Sequence, residues 1–396
     1  MLRRRVYLDH AAATPVLKVS YAAFRRALSL FGNPSSAHSE GVFAKALLER
    51  CRTQVAREVG VKADAVIFTS GATEANALLI LGHIETLIGQ GRSGDDMHVL
   101  YSESAHASVR ETVEALSRKG VVIETIPFSD GGVDLEAFRA KLKDTTVLVV
   151  IDLVESETGI EAPTRAMARL LIDRYAESNK PLFHVDGSQA PRVERIQKTH
   201  LGFDTFSLDA QKIGGIRGCG ALIVPRTIPL APRVFGGGQE RGIRSGTESV
   251  ALIASFAEAL THAGASREAF LKKTMVLREE FLRQVTRALP FALVNEGKEQ
   301  APHIINLSFP GYDTEYLVHL LDAKGFSVST KSACETGEPY SKAVYAYTKD
   351  KERASATLRI SLGNDTTERE LSSFSRALFE AITFLEKSRL EGYNRS

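Results

Sequence analysis

Short apolar runs alternate along the chain with segments whose apolar residues recur at helical spacing. The runs Val147–Ile151 and Leu182–Val185 lack polar alternation, which is typical of parallel strands covered on both faces. We predict strands at Ala65–Thr69, His98–Ser102, Val147–Leu153, Leu182–Val185, Asp204–Ser207 and Ala221–Val224. Helical periodicity falls at Ala44–Val59, Glu74–Ile88, Ala107–Lys119 and Thr164–Ser178. This repeated strand–helix alternation predicts an α/β fold with a doubly wound, mainly parallel sheet.

A longer periodic stretch, Ser249–Leu289, contains Gly264 near its middle, and we predict a break in the helix there. We take the break as the exit from a large domain. The predicted division is a large domain of residues 16–262 and a smaller α/β domain made of residues 1–15 and 263–396. A chain of 396 residues is long enough to bury both cores.

Composition and charge narrow the class of protein. The 50 basic and 48 acidic side chains are scattered, so we expect neither nucleic acid nor a membrane surface as a partner. No apolar run approaches the length of a membrane span, and none follows Arg3–Arg5 to make a secretory signal. Three cysteines do not form a disulfide framework and fit a reducing compartment. We therefore expect a cytoplasmic enzyme.

Two segments at predicted strand ends have the chemistry of a ligand site. Gly71, Ala72 and Thr73 lie between a strand and a helix, where small residues let backbone amides approach an anion. A simple helix cap explains the same residues. Asp186 ends another strand, and a carboxylate there suits the protonated nitrogen of a pyridine ring. Taken alone, Asp186 is as readily interpreted as a helix cap.

Further along the chain, Lys212 stands between a predicted strand and a glycine-rich turn. A lysine in that setting is a candidate functional amine, because burial near other cations lowers the pKa of an amine. The run from 236 to 247 is too glycine-rich and too charged for a core, and we predict a binding loop. A flexible surface loop is the alternative.

The last two candidates are a cysteine and an arginine. Cys334 lies in a small, polar segment, whereas a structural cysteine normally has apolar neighbours. Arg359 interrupts an apolar, strand-like run and needs a partner. That partner is either a substrate carboxylate, which a guanidinium grips well, or an internal carboxylate of the protein.

In this order the segments resemble those of the cysteine desulfurases, which are class V, fold-type I enzymes that use pyridoxal phosphate (PLP). The resemblance runs from Tyr7 to about Glu370, and its motifs are Tyr7-Leu8-Asp9, Gly32-Asn33-Pro34-Ser35-Ser36, Ser70-Gly71-Ala72-Thr73-Glu74, His184-Val185-Asp186, Gln189, Lys212, Arg244-Ser245-Gly246-Thr247, Ser332-Ala333-Cys334 and Arg359. The Ser-Ala-Cys segment is similar to that of the branch serving iron–sulfur assembly and tRNA thiolation.

The resemblance implies roles at the cofactor. Lys212 would carry PLP as a Schiff base and move protons, Asp186 would pair with the ring nitrogen, and Gln189 would bond the phenolic oxygen. His106 would stack on the ring and Ser156 would stand near it. The residues implied around the phosphate are Gly71, Ala72, Thr73, Ser207 or Asp209 and, from the neighbouring subunit of a homodimer, Thr247.

The resemblance also implies the reaction. Arg359 and Asn33 would hold the carboxylate of L-cysteine, and Cys334 would attack its sulfur. A persulfide and alanine would result, with the sulfur passing to an iron–sulfur scaffold or another acceptor protein. No metal is implied.

Several positions depart from the family pattern, among them three near the cofactor. Asp209 stands where the family usually has Ser or Thr, Gln211 where it has His, and Ser156 where it has Asn. A carboxylate beside a phosphate is repulsive unless it turns away or is paired, for example with Arg217. Two alternatives therefore stay open: a related PLP lyase such as a selenocysteine lyase, and a catalytically weakened paralogue that serves as a dimeric scaffold.

Overall fold

The computed structural model describes residues 5–129, 131–330 and 339–393, with the side chains of all of these but Ser178 and residues 388–393. Its strands are β1 (Val6–Tyr7), β2 (Val66–Thr69), β3 (His98–Ser102), β4 (Val122–Ile126), β5 (Phe128–Ser129), β6 (Gly132–Val133), β7 (Thr146–Asp152), β8 (Leu182–Asp186), β9 (Thr205–Asp209), β10 (Gly220–Ile223), β11 (Leu293–Val294), β12 (Ile304–Ser308), β13 (Phe326–Ser327) and β14 (Thr357–Ser361).

The helices are α1 (Lys18–Ala27), α2 (Ser39–Val59), α3 (Ala72–Gly89), α4 (Ala107–Glu114), α5 (Leu135–Lys141), α6 (Thr164–Arg174), α7 (Lys198–Leu201), α8 (Val250–Ala288), α9 (Thr314–Ala323), α10 (Lys342–Thr348), α11 (Lys351–Ser355) and α12 (Glu368–Tyr393). None of them, over the described residues, is long and apolar enough to cross a membrane.

The main sheet has seven strands in the order β2-β10-β9-β8-β7-β3-β4. The two pairings of β10, with β2 and with β9, are antiparallel, and the other pairings of this sheet are parallel. Alternate residues of β7 enter two different hydrophobic clusters, Val149 and Ile151 in one and Leu148 and Val150 in the other. Both faces of the sheet are therefore covered, which confirms the predicted mainly parallel α/β fold.

A third hydrophobic cluster belongs to a smaller unit around the antiparallel sheet β11-β12-β14. The N-terminal segment joins it, because β1 pairs with β13 and Leu8 is buried in this cluster. These contacts agree with grouping the first residues with the C-terminal part of the chain. The division at residues 262 and 263 itself stays a proposal.

The predicted break at Gly264 is wrong, since α8 continues through this position. A Cβ added to Gly264 would lie 2.7 Å from the Glu58 carboxylate of α2. The glycine thus lies where α8 faces α2 and does not end the helix. The core contacts of α8 change from the large cluster, which includes Phe270, to the small cluster, which includes Leu277.

Three adjacent parallel strands end in aspartate: β7 in Asp152, β8 in Asp186 and β9 in Asp209. Helices α3 and α4 begin directly after the ends of β2 and β3, at the same edge of the sheet. The carboxyl edge of such a sheet is where α/β proteins bind their ligands.

Candidate active site

A cavity of about 140 Å³ opens at this carboxyl edge. Most of the predicted site residues line it: Ala72, Thr73, His106, Ser156, Asp186, Gln189, Asp209, Lys212 and Arg359. Ala72 and Arg359, which are 287 positions apart in the sequence, thus share one space. The catalytic and cofactor-binding groups predicted from separate motifs are brought together here.

The remaining predicted residues lie elsewhere. Gly71 and the fully buried Ser207 lie next to the cavity without lining it. Asn33 and Thr247 are exposed and do not line the cavity, and the Asn33 Oδ1 accepts the N–H of Ser35 at 2.9 Å. Cys334 lies outside the described residues.

Lys212 lies at the end of a short 3₁₀ turn that directly follows β9. Its Nζ donates hydrogen bonds to the carbonyl oxygens of Ala11 and Ala12, both at 2.9 Å. Thr14 Oγ1 donates to the Lys212 carbonyl at 3.0 Å, so the N-terminal segment contacts both ends of the lysine. Gln189 Nε2 also donates to the Ala11 carbonyl, at 2.9 Å. The first residues of the chain therefore position the amine in the cavity.

Asp186 is a buried carboxylate with several hydrogen-bond donors. Its Oδ2 accepts from Asn76 Nδ2 at 2.7 Å, and its Oδ1 accepts from the amide and hydroxyl of Ser188 at 2.9 and 2.6 Å. Donors of this kind stabilise negative charge on a buried carboxylate. Asp186 is thus arranged to face a cationic group in the cavity.

Asn76, which the sequence reasoning missed, connects Asp186 to two histidines. The Asn76 Oδ1 lies 3.0 Å from His184 Nε2, and its Nδ2 also donates to the Ser108 hydroxyl at 3.0 Å. Burial lowers the pKa of His184 to about 4, so the ring is neutral at pH 7. Because an amide oxygen can only accept, the His184 Nε2 donates to the Asn76 Oδ1. The sequence could have pointed to Asn76, because it is an amide on the buried and otherwise apolar face of α3.

His106 is the N-cap of α4, and its ring lines the cavity. The Nδ1 atom accepts the N–H of Ser108 at 3.1 Å and lies 2.9 Å from the Ser108 hydroxyl. The neutral ring therefore carries its proton on Nε2. Asn76 and Ser108 join the carboxylate of Asp186 to this ring by hydrogen bonds.

Asp209 turns toward backbone amides and not toward Arg217. Its Oδ2 accepts the N–H of Ala72 at 3.2 Å, and its Oδ1 accepts the N–H of Gln211 at 2.9 Å. Burial raises the pKa of Asp209, while these N–H groups and Lys212 act in the opposite direction. One of the first amides of α3 is thus already occupied by a carboxylate.

Asp152 is a second cavity residue that the sequence reasoning missed. It is paired in register with Asp186 on the neighbouring strand, and its Oδ2 accepts the N–H of His106 at 3.1 Å. Burial, followed by the charges of Asp186 and Glu155, raises the pKa of Asp152 well above its usual range. The sequence could have pointed to Asp152, because it directly follows the apolar run Val147–Ile151 at the end of a predicted strand.

Arg359 is almost completely buried and already has an internal carboxylate partner. Its Nη2 donates to Asp9 Oδ1 at 2.9 Å, and its Nη1 donates to the Ser156 carbonyl at 3.0 Å. The internal ion pair that the sequence left open is therefore present. Binding of a substrate carboxylate by Arg359 stays a prediction.

These residues fit PLP. The cavity offers an amine at Lys212, a well-bonded carboxylate at Asp186 and the N-terminal end of α3 with the Thr73 side chain. The amine suits an aldehyde carbon, the carboxylate suits a pyridine nitrogen, and the helix end suits a phosphate. Among the described residues no group of three or more His, Cys, Asp or Glu side chains could hold a metal ion.

Comparisons with known proteins agree with this geometry. The family model described as Aminotransferase class-V matches residues 6–374. The cysteine desulfurase IscS of Dictyoglomus turgidum is 32% identical over 376 residues, which cover 94% of this chain and 93% of the relative. The mitosomal cysteine desulfurase of Encephalitozoon cuniculi is 31% identical, with coverage of 97% and 88%.

Solved structures give the same result. A NifS-like protein superposes with a TM-score of 0.88 at 29% identity, covering 96% of this chain and all of the other. DndA from Streptomyces lividans superposes with a TM-score of 0.74 at 32% identity, covering 90% and 99%. The chain therefore belongs to the class-V aminotransferase family and, within it, to the cysteine desulfurases.

Proposed function

We propose that this chain is a PLP-dependent cysteine desulfurase that converts L-cysteine to L-alanine and leaves the sulfur as a persulfide on Cys334. The observation that carries the proposal is the convergence of Lys212, Asp186 and the N-terminal end of α3 on one cavity. The family membership and the printed names of the relatives support the same activity.

The residues of the cavity divide the work at the cofactor. PLP, when bound, supplies a ring that accepts electrons from the α-carbon of an amino acid. Asp186 provides the negative charge that keeps the ring nitrogen protonated, because three donors hold its carboxylate in place. Lys212 supplies the amine that bonds the cofactor, and its Nζ then takes and returns a proton.

Substrate binding involves Arg359 and Asn33. The carboxylate of L-cysteine has to share the Arg359 guanidinium with Asp9, and a guanidinium has five N–H donors with which to do so. Asn33 and Thr247 are exposed and outside the cavity of their own subunit. We propose that both act across a subunit boundary, Thr247 on the phosphate and Asn33 on the substrate.

Sulfur transfer is assigned to Cys334 through the Ser-Ala-Cys motif, since this residue lies outside the described residues. Its thiolate bonds the substrate sulfur as the Cβ–S bond of cysteine breaks. The electron pair of that bond stays on the carbon, which takes up a proton to give alanine. The step needs no external oxidant or reductant, and the persulfide is then available to an iron–sulfur scaffold or another acceptor protein.

A homodimer is supported by large apolar side chains at the surface. Phe31 is 84% exposed and Phe235 is 81% exposed, and Phe43 on α2 is also exposed. Exposed aromatic side chains are enriched at protein interfaces. A second copy of the chain that covers them would bring Asn33, Thr247 and the glycine-rich run close to a subunit boundary.

The compartment we propose is the cytoplasm. Cys51 and Cys219 are buried free thiols, which agrees with a reducing environment. The nearly balanced charge, +2 at neutral pH, gives no support for a nucleic-acid or membrane partner.

The proposal is tested by absorbance and by product analysis. Purified protein given PLP should show the absorbance band of lysine-bound PLP, and Lys212→Ala should lack it. With dithiothreitol present to reduce the persulfide, cysteine-dependent sulfide release with an equal amount of alanine should be lost in Cys334→Ser, which keeps the band, and retained in the matched control Cys51→Ser.

Two results would overturn the proposal. Wild type that stays colourless with PLP would favour the weakened scaffold paralogue. Turnover of L-selenocysteine without turnover of L-cysteine would favour a selenocysteine lyase.

A further inference from the structure

Asp152 is a buried carboxyl group in the cavity that the proposed reaction does not use. It is the last residue of β7, is 8% exposed, and is paired in register with Asp186 at the end of β8. Residues paired in a parallel register point to the same face of the sheet. Two carboxyl groups therefore stand side by side on one wall of the cavity.

The two groups differ in their hydrogen-bond donors. Asp186 receives three hydrogen bonds, from Asn76 Nδ2 and from the amide and hydroxyl of Ser188. Asp152 receives one, from the His106 amide at 3.1 Å, and its Oδ1 is buried without a hydrogen-bond partner among the described residues. An unpaired, buried oxygen is costly on a carboxylate and much less so on a neutral acid.

On balance, the charged groups around Asp152 also favour its protonated form. The titratable or charged groups that face it are Asp186, Glu155, Arg110, His106 and Lys212. Burial and the two acidic neighbours raise its pKa, whereas the His106 amide and Arg110 oppose this more weakly. Geometry and electrostatics therefore agree on which of the paired carboxyl groups holds a proton.

We propose that Asp152 is a positioning residue that remains an uncharged carboxylic acid, holds His106 through its backbone amide, and leaves Asp186 as the only ionised member of the pair. This inference rests on the proposed function, in which Asp186 and His106 act on bound PLP. One negative charge on the wall then matches one positive charge on the ring nitrogen. Ionisation of Asp152 would add a second charge and repel Asp186.

The first test uses the protein without cofactor, so it does not depend on the proposed function. Asp152→Asn mimics the neutral acid and keeps an acceptor for the His106 amide. The pKa of Asp152 is raised in the folded state, so wild type should lose stability relative to this variant as the pH rises above about 4. We expect the urea midpoint of Asp152→Asn to exceed that of wild type at pH 8.5, with a smaller gap at pH 5.

Controls separate this effect from general changes. Asp173→Asn on α6 alters an exposed aspartate and should show no pH-dependent gap. Asp186→Asn removes the neighbouring charge. The difference in urea midpoint at pH 8.5 between the double variant Asp152→Asn/Asp186→Asn and the single variant Asp186→Asn should therefore be smaller than that between Asp152→Asn and wild type. If Asp152→Asn does not fold, Asp152→Ser replaces it, because serine is uncharged and also offers an acceptor to the amide.

The second test uses PLP-loaded protein. The absorbance of bound PLP in wild type should change in an alkaline transition that Asp152→Asn lacks, while both spectra agree at pH 7. Asp152→Leu, which cannot accept the His106 amide, should weaken PLP binding at every pH, and the asparagine variant should not. A pH-independent gap in urea midpoints, or a gap that favours wild type at high pH, would overturn the proposal. Failure of PLP to bind would instead contradict the proposed function.

Discussion

The substitution Asp209→Ser removes the carboxylate that accepts the N–H of Ala72 at 3.2 Å, at the first residue of α3. A phosphate bound at this helix end would meet an ionised Asp209 as a like charge, although the helix end itself favours an anion. The same substitution leaves the hydrogen bonds of Lys212 to Ala11 and Ala12 untouched. It therefore isolates the effect of one carboxylate on cofactor binding.

The size of the effect follows from two competing costs. Two unit charges about 4 Å apart repel by about 4 kcal/mol at an effective dielectric constant of about 20. Protonating Asp209 costs about 1.4 kcal/mol for each pH unit above its pKa, which burial has raised. Protonation is thus the cheaper route within about three pH units of that pKa. Wild type should take up a proton when PLP binds, and its Kd should rise up to about tenfold per pH unit above that pKa.

The assay is an absorbance titration of the cofactor-free protein with PLP between pH 6.5 and 9. We expect Asp209→Ser to bind PLP more tightly than wild type at pH 8.5, and the ratio of the two Kd values should fall, by up to about tenfold per pH unit, as the pH is lowered toward 6.5. The pH dependence of Lys212 is common to both proteins and cancels in the ratio of their Kd values. Asp209→Asn controls for the serine hydroxyl, and pyridoxal controls for the phosphate. A ratio that stays constant with pH, or that is the same for pyridoxal, would refute the reasoning.

Three further predictions concern buried or partly buried polar groups. Burial and neighbouring carboxylates raise the pKa of Glu161 to about 7, so wild type should lose stability as the pH rises from about 4.5 to 7. Glu161→Gln should escape this loss, a difference of up to about 3 kcal/mol in urea unfolding at pH 8, and parallel pH profiles would contradict it. Arg52 and Glu240 form a buried pair at 2.7 and 2.8 Å, and replacing either with alanine should lower the free energy of unfolding by about 3–5 kcal/mol. A loss below about 1 kcal/mol, the value of an exposed pair, would show that the pair is not desolvated. Asn76→Ala removes a donor 2.7 Å from Asp186 and should cost about 1.5–3 kcal/mol, measured the same way, and an unchanged midpoint would count against that bond.

The main sheet was predictable because its strands are marked by local sequence. A continuous apolar run such as Val147–Ile151 requires cover on both faces, and β7 extends that run by one residue at each end. The strand β4 was missed because it lies at the edge of the sheet and is only partly buried. Its residues Val122–Ile126 include Glu124, so no continuous apolar run marks them.

The partners of the site residues could not be predicted, because they come from distant parts of the chain. Arg359 bonds Asp9, which lies 350 residues earlier, and Lys212 bonds the carbonyl of Ala11, 201 residues earlier. The sequence indicated that Arg359 needed a carboxylate, since a buried guanidinium must be paired. Which carboxylate it finds depends on how the N-terminal segment lies against β14, and no local pattern specifies that.

The three strand-end aspartates show how strongly the chemistry of the site depends on tertiary contacts. Each is the last residue of its strand, yet among the described residues Asp186 accepts three hydrogen bonds, Asp209 two and Asp152 one. Three of these donors come from α3 or from the N-cap of α4, which precede all three strands in the sequence. Because donors decide where negative charge is stable in a buried site, each aspartate acquires its role from its neighbours. If PLP binds as proposed, we expect the donors to Asp152 and Asp209 to determine the pH range over which it is held.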